Sequence, residues 1–138
     1  MRIVVDASVS AKWFLQDDED HLAESIRLLR AIETGRTEAV QPPHWLAEVA
    51  AVLTRRFPQS AEVATDLLIG LGLDIAEDPE IYRRAVRLSW QLNHHLFDTL
   101  YHAVALEHGA TLVTADRGYW RKAADQGHIA LLESFSTD

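Results

Sequence analysis

Ile3-Val4-Val5-Asp6-Ala7-Ser8-Val9 and Thr111-Leu112-Val113-Thr114-Ala115-Asp116 share one plan: a brief apolar run, an aspartate at or just past its end, then a helical pattern. A run this short, with no polar alternation, suits a strand buried on both faces of a parallel sheet. Between the two runs the chain alternates in the same way. Val9 to Leu15 reads as a short helix, and the acidic run Asp17-Asp18-Glu19-Asp20 as a solvated loop that caps the next one. His21 to Glu33 has Leu22, Ile26, Leu29 and Ile32 on one helical face and stops near Gly35. Ala39-Val40 is a second strand. Pro42-Pro43 opens a helix to about Phe57, and another spans Ser60 to Leu68.

Leu73-Asp74-Ile75 is a weak strand, and Pro79 opens a long helix with Ile81, Ala85, Leu88 and Leu92 at helical spacing. Asp98 to Glu107 forms a helix ended by Gly109, where glycine is favoured past a C-terminus. After Asp116 come a short helix from Arg117 to Ala124 and a last strand, Ile129-Ala130-Leu131. Strands separated by helices imply an α/β fold, a three-layer α/β/α sandwich around a short central parallel sheet. One domain is expected over residues 1–138.

Composition narrows the class. The chain has 138 residues, 48% hydrophobic and 25% charged, as expected of a globular domain able to bury a core. It has no cysteine, so disulfides and thiolate metal sites are excluded. The apolar stretch at Ile3-Val4-Val5 is too short for a signal peptide, and nothing approaches the roughly 18 apolar residues of a membrane span. A soluble, cytoplasmic protein is the expectation. The net charge of -8 counts mildly against nucleic-acid binding. Basic residues do cluster at Arg55-Arg56, at Arg83-Arg84-Arg87 and at Arg117-Arg121-Lys122.

Ligands of open parallel sheets bind beyond the carboxyl ends of the strands, where the strand order reverses. If the first strand and the Thr111 strand are neighbours, Asp6 and Asp116 emerge together at that crevice, although each could simply cap the helix that follows. Glu48 falls on the edge of the apolar stripe Trp45, Leu46, Val49, Val52 and Leu53, at about 100° per residue. A glutamate sheltered there needs a positive partner, either a ligand or Arg55 or Arg56. Asp98 opens a helix after Asn93-His94-His95-Leu96-Phe97, and an N-cap or first-turn role would again suffice. Four carboxylates at one locus resist joint ionisation unless a cation joins them. A hard divalent ion such as Mg²⁺ or Mn²⁺ suits oxygen ligands. His94, His95 and His102 lack a matching cluster elsewhere and are expected in surface or half-buried packing.

The segments Ile3 to Val9, Pro43-His44-Trp45-Leu46-Ala47-Glu48-Val49, Phe97-Asp98-Thr99-Leu100-Tyr101-His102-Ala103-Val104-Ala105 and Leu112 to Asp116 together resemble, in order, the acidic motifs of VapC-type PIN-domain toxins. The resemblance covers essentially the whole chain. It implies a PIN-like fold and a metal-dependent endoribonuclease with Asp6, Glu48, Asp98 and Asp116 around one or two Mg²⁺ or Mn²⁺ ions. Attack by water would leave 5′-phosphate and 3′-hydroxyl ends. Ser8 and Thr114 match positions where the family often places a hydroxyl near the acids; capping of the next turn is the other reading. Some relatives carry a further acid where this chain has Arg117-Gly118-Tyr119-Trp120. Lys12, Arg117, Arg121 and Lys122 are candidate phosphate contacts. The implied partners are an RNA substrate and a VapB-type antitoxin whose tail would present a basic side chain to the acids. A homodimer is also expected, from the apolar positions of the His21–Glu33 and Pro43–Leu68 helices.

Two rivals come from other classes. A phosphoaspartate enzyme would need a second acid where Ser8 stands, and a receiver-like module would need paired early acids and a late lysine. The alternative that keeps the fold is a catalytically silent PIN-like module that holds a partner chain in its acidic groove.

Overall fold

The protein is described by a computed structural model over residues 1–14 and 20–137. Leu15 and the Asp17 to Glu19 part of the acidic run lie outside the described residues. Five strands, β1 (Arg2–Val5), β2 (Glu38–Gln41), β3 (Asp74–Ile75), β4 (Thr111–Thr114) and β5 (Ile129–Leu131), form one sheet in the order β3-β2-β1-β4-β5. All pairings are parallel. Ile3, Val4 and Val5 have no exposed surface, as a central strand covered on both faces requires. The three-layer α/β/α architecture expected from the alternating pattern is therefore the one observed.

The order of the sheet is what makes a site. The chain winds from β1 out to β2 and β3, then crosses to the other side of β1 for β4 and β5. The reversal falls between β1 and β4, whose register pairs Val4 with Leu112 and Val5 with Val113. A crevice opens beyond the carboxyl ends of two such strands because their connections leave in opposite directions.

The helices are α1 (Ala7–Ser10), which runs into a 3-10 turn at Ala11–Phe14, α2 (Leu22–Glu33), α3 (Trp45–Arg56), α4 (Ala61–Gly70), α5 (Pro79–Leu92), α6 (Leu96–His108) and α7 (Arg117–Ala123). On α3 the residues Trp45, Val49 and Leu53 are buried, and on α5 Ile81, Ala85 and Leu88, as their spacing predicts. On α2 the contact face is shifted. Ser25, Leu28 and Ala31 are the buried residues, and Ile26, Leu29 and Ile32 pack at its margins. Small Ser25 sits in that face because its backbone carbonyl accepts the indole N–H of Trp13 at 2.9 Å, while its hydroxyl donates to the Leu22 carbonyl at 2.8 Å. Periodicity alone assigns Ser25 to solvent because its polar atoms count against it. Helix α6 starts at Leu96, with His95 at the cap position. Asp98 is thus in the first turn and is not the cap.

The end of β1 is fixed by a side chain that the sequence reading passed over. Gln41 is fully buried. It accepts from the Val5 N–H at 2.8 Å and donates to the Val5 carbonyl at 2.8 Å, just before Asp6. Gln41→Ala leaves both backbone groups unpaired, at about 1–3 kcal/mol for each buried group. The variant is expected to lose roughly 2–4 kcal/mol of unfolding free energy, read from urea denaturation monitored by circular dichroism.

Candidate active site

Four acids from four elements line one depression at the β1/β4 switch point: Asp6, Glu48, Asp98 and Asp116, with Ala7, Ser8 and Tyr119. Asp6 follows β1, Glu48 is in the first turn of α3, Asp98 is in the first turn of α6 and Asp116 precedes α7. The cavity is about 90 Å³, room for about three water-sized groups at about 30 Å³ each. It can take an ion and part of its hydration.

Each carboxylate has one oxygen held by a hydrogen-bond partner. Oδ1 of Asp6 accepts from the Ser8 N–H at 2.9 Å and also from the Ser8 hydroxyl. Oε1 of Glu48 accepts from the Tyr101 hydroxyl at 2.9 Å. Oδ2 of Asp98 meets Nε2 of His94 at 2.8 Å. Oδ1 of Asp116 accepts from the Tyr119 N–H at 3.0 Å, the N-cap bond of α7. The aspartates at the two strand ends do cap helices, as the simpler reading held, but they cap with one oxygen each.

Ser8 places its hydroxyl on an acid, and Thr114 caps the following turn. The Ser8 oxygen accepts from the Ala115 N–H at 3.0 Å, so it bridges the ends of β1 and β4. The Thr114 oxygen accepts from the Asp116 N–H at 3.0 Å.

These neutral partners do not offset burial. Desolvation pushes the Asp6 carboxyl up to about 6, against the pull of the Ser8 hydrogen bonds, and the Asp98 charge adds to the rise. Desolvation also raises Glu48, partly countered by Tyr101. Tyr101 is itself pushed up by burial and then by Glu48, Asp6 and Asp98, so it remains a phenol and a donor. Arg55 and Arg56, the partners expected for Glu48, are exposed in the last turn of α3. The groups that meet Glu48 are Tyr101 and His44, whose Nε2 is 3.8 Å from Oε2. Burial lowers the His44 pKa, and its Nε2–H donates to the Phe97 carbonyl at 2.9 Å. His44 therefore ties α3 to α6 without supplying Glu48 with a charge.

The histidines are the main correction to the sequence reading. His102, expected at the surface or half-buried, is fully buried. Its Nε2 donates to the Gly127 carbonyl at 2.8 Å, and its Nδ1 accepts from the Tyr119 hydroxyl at 2.9 Å. That pair holds α7, and Asp116 with it, against α6. His94 is half-buried as expected, yet it belongs to the site: one donor atom each from His94, Asp98 and Asp116 lie within 4.8 Å of one another. The expected phosphate contacts are mostly engaged elsewhere. Lys12 is buried with Nζ 2.9 Å from the Asp20 carbonyl, Arg117 is ion-paired with Glu133, and Lys122 lies on the Asn93 carbonyl at 3.0 Å. Arg121 is exposed.

The donor set fits a hard divalent cation. Carboxylates predominate around a small cavity, and two of the four carboxyls are pushed up by burial.

A parallel sheet of this order with four acids at its switch point defines a class, and the sequence bears it out. The family model for the PIN domain matches residues 3–126, and the chain belongs to the PIN domain family. No curated protein matches it in sequence. Among solved structures it is similar to VapBC2 from Rickettsia felis, determined bound to a DNA fragment from their promoter, with a TM-score of 0.71 and 14% identity over 95% of this chain and 98% of that one. It is also similar to PAE2754 from Pyrobaculum aerophilum, with a TM-score of 0.68 and 18% identity over 97% and 91% of the two chains. A third likeness is to VapC20 from Mycobacterium tuberculosis, a Sarcin-Ricin loop cleaving toxin, with a TM-score of 0.66 and 18% identity over 89% and 94%. At these identities the likeness establishes the fold.

Proposed function

We propose that this PIN-domain protein is a metal-dependent endoribonuclease and the toxin of a toxin–antitoxin pair. On this reading Asp6, Glu48, Asp98 and Asp116 hold Mg²⁺ or Mn²⁺. The observation that carries the reading is the convergence of these four carboxylates, from four separate elements, on one cavity. The fold shared with VapBC2 and VapC20 supports the toxin assignment.

When bound, a divalent ion supplies Lewis acidity to phosphoryl oxygens and lowers the pKa of water beside it. The chain supplies orientation. With Oε1 of Glu48, Oδ2 of Asp98 and Oδ1 of Asp116 already held, the second oxygen of each is set for a ligand before one arrives, and Ser8 orients Asp6. One of the four then accepts the proton of the attacking water. The RNA backbone lies across the mouth, with exposed Arg121 as a candidate phosphate contact.

The partner is an antitoxin of the VapB type, whose tail brings a basic side chain to the acids in place of the metal. Val63 and Leu67, one turn apart on α4, are each more than half exposed and offer an apolar contact point. A two-fold dimer is the expected free form. A cytoplasmic setting belongs to the same reading, and among the described residues no helix is long and apolar enough to cross a membrane.

The toxin assignment is tested by induced expression in cells that lack any antitoxin. Growth arrest within the induction period is expected, with recovery on co-expression of the neighbouring antitoxin gene. Abundant wild-type protein with unaffected growth would remove the toxin role and leave the nuclease role to be judged on RNA.

A further inference from the structure

We infer that His94 is a positioning residue for Asp98, with its tautomer set by Lys122. This rests on the carboxylate metal site proposed above and deepens it. Three observations carry it. First, the backbone of His94 is held at both polar groups: its N–H donates to the Ser89 carbonyl at 3.1 Å, and its carbonyl accepts from the Ser89 hydroxyl at 2.5 Å. The turn that allows this depends on Asn93, which ends α5 in the left-handed region at φ 50. Second, the ring is fixed in space. It packs on Tyr119 at 4.7 Å between centroids, and Tyr119 is anchored to α6 through His102. Third, the two ring nitrogens have partners of opposite kind. Lys122 Nζ lies 3.2 Å from Nδ1 and also donates to the Asn93 carbonyl at 3.0 Å.

A lysine ammonium can only donate, so the nitrogen it meets presents a lone pair, and in the neutral ring the proton is on Nε2. That proton points to Oδ2 of Asp98 at 2.8 Å. The chain Lys122, His94, Asp98 is thus polarised in one direction, and it fixes one oxygen of Asp98 while leaving Oδ1 for a ligand. Asp98 needs such a support because it lies in the first turn of α6 with its own N–H on the His95 carbonyl. Groups that orient a metal-binding side chain in this way typically change metal affinity about ten- to a hundredfold when removed.

The test is calorimetric titration of Mn²⁺ into the metal-free full-length protein near neutral pH, for wild type, His94→Ala and His94→Gln. A glutamine amide can replace the donor at Nε2. The expected result is an Mn²⁺ affinity weaker by about ten- to a hundredfold in His94→Ala and close to wild type in His94→Gln. Unchanged affinity in His94→Ala, even with a lower melting temperature, would show that His94 only packs on Tyr119 and would overturn the inference. So would a His94→Gln as weak as the alanine variant. No Mn²⁺ uptake by the wild type would overturn the carboxylate site itself. Should His94→Ala fail to fold, nitrogen NMR of the wild-type imidazole decides: the Nε2-protonated tautomer is expected, and the Nδ1-protonated form contradicts the role.

Discussion

Replacing any one of Asp6, Glu48, Asp98 or Asp116 by alanine is expected to reduce RNA cleavage about a thousandfold or more, about 4 kcal/mol at roughly 1.4 kcal/mol per tenfold. Single-turnover kinetics with a labelled RNA would measure it. The four substitutions separate catalysis from stability because the residues differ in their structural duties. Asp116 caps α7 with one oxygen, so its alanine variant also loses about 1 kcal/mol of stability; at Asp6 the lost cap of α1 is set against relief from burying the carboxylate. Glu48 and Asp98 lie in first turns and are not caps. Their loss of activity is expected with little loss of stability and a native far-UV circular dichroism spectrum. Glu48→Gln is the sharper variant, since it keeps the acceptor for Tyr101 and removes only the charge. Normal turnover in Glu48→Gln would take that residue out of the site.

The second large effect is on the metal-free protein. The Asp6 carboxyl is at about 6 in the folded chain, against 3.8 as its ordinary value. Well below pH 4 both folded and unfolded chains carry the proton, and Asp6 costs nothing. Between pH 4 and pH 6 the unfolded chain gives up its proton first, so the folded state binds more protons and stability falls as the pH rises. Above pH 6 the full cost remains, up to about 3 kcal/mol. Asp6→Asn is therefore expected to lie within about 0.5 kcal/mol of wild type at pH 4 and to exceed it by up to about 3 kcal/mol at pH 8 in chelator, by urea denaturation. Adding Mn²⁺ should close the gap, because the wild type gains by mass action, about 2.7 kcal/mol at a hundred times the dissociation constant. A difference that stays flat from pH 4 to pH 8 would mean that burial does not act on this carboxyl.

The parts of the fold that the sequence makes legible are those set by local rules. Two brief apolar runs ending near aspartates place β1 and β4, and Gly109, at φ 63, closes α6 where a left-handed residue is needed. The four acids come with them, because each sits at a strand end or in the first turn of a helix. What stayed hidden depends on partners far along the chain. His94 and Asp98 have the spacing of a helical pair, but the break between α5 and α6 falls between them, so the contact is made by a turn and not by a helix face. Lys122 reaches His94 only because α7 is docked by Tyr119 on His102. Gln41 looks like an ordinary polar residue before two prolines until β2 is set beside β1. Lys12 reads as surface by its charge, whereas its Nζ is drawn in by the Asp20 carbonyl.

The most direct test of the four-carboxylate site is RNA cleavage by the purified protein in chelator and in millimolar Mg²⁺ or Mn²⁺, with the chemistry of the cut ends determined. The expected result is cleavage only with metal, leaving 5′-phosphate and 3′-hydroxyl ends, as water attack requires. Equal cleavage in chelator, with 2′,3′-cyclic phosphate ends from attack by the neighbouring ribose hydroxyl, would contradict the account.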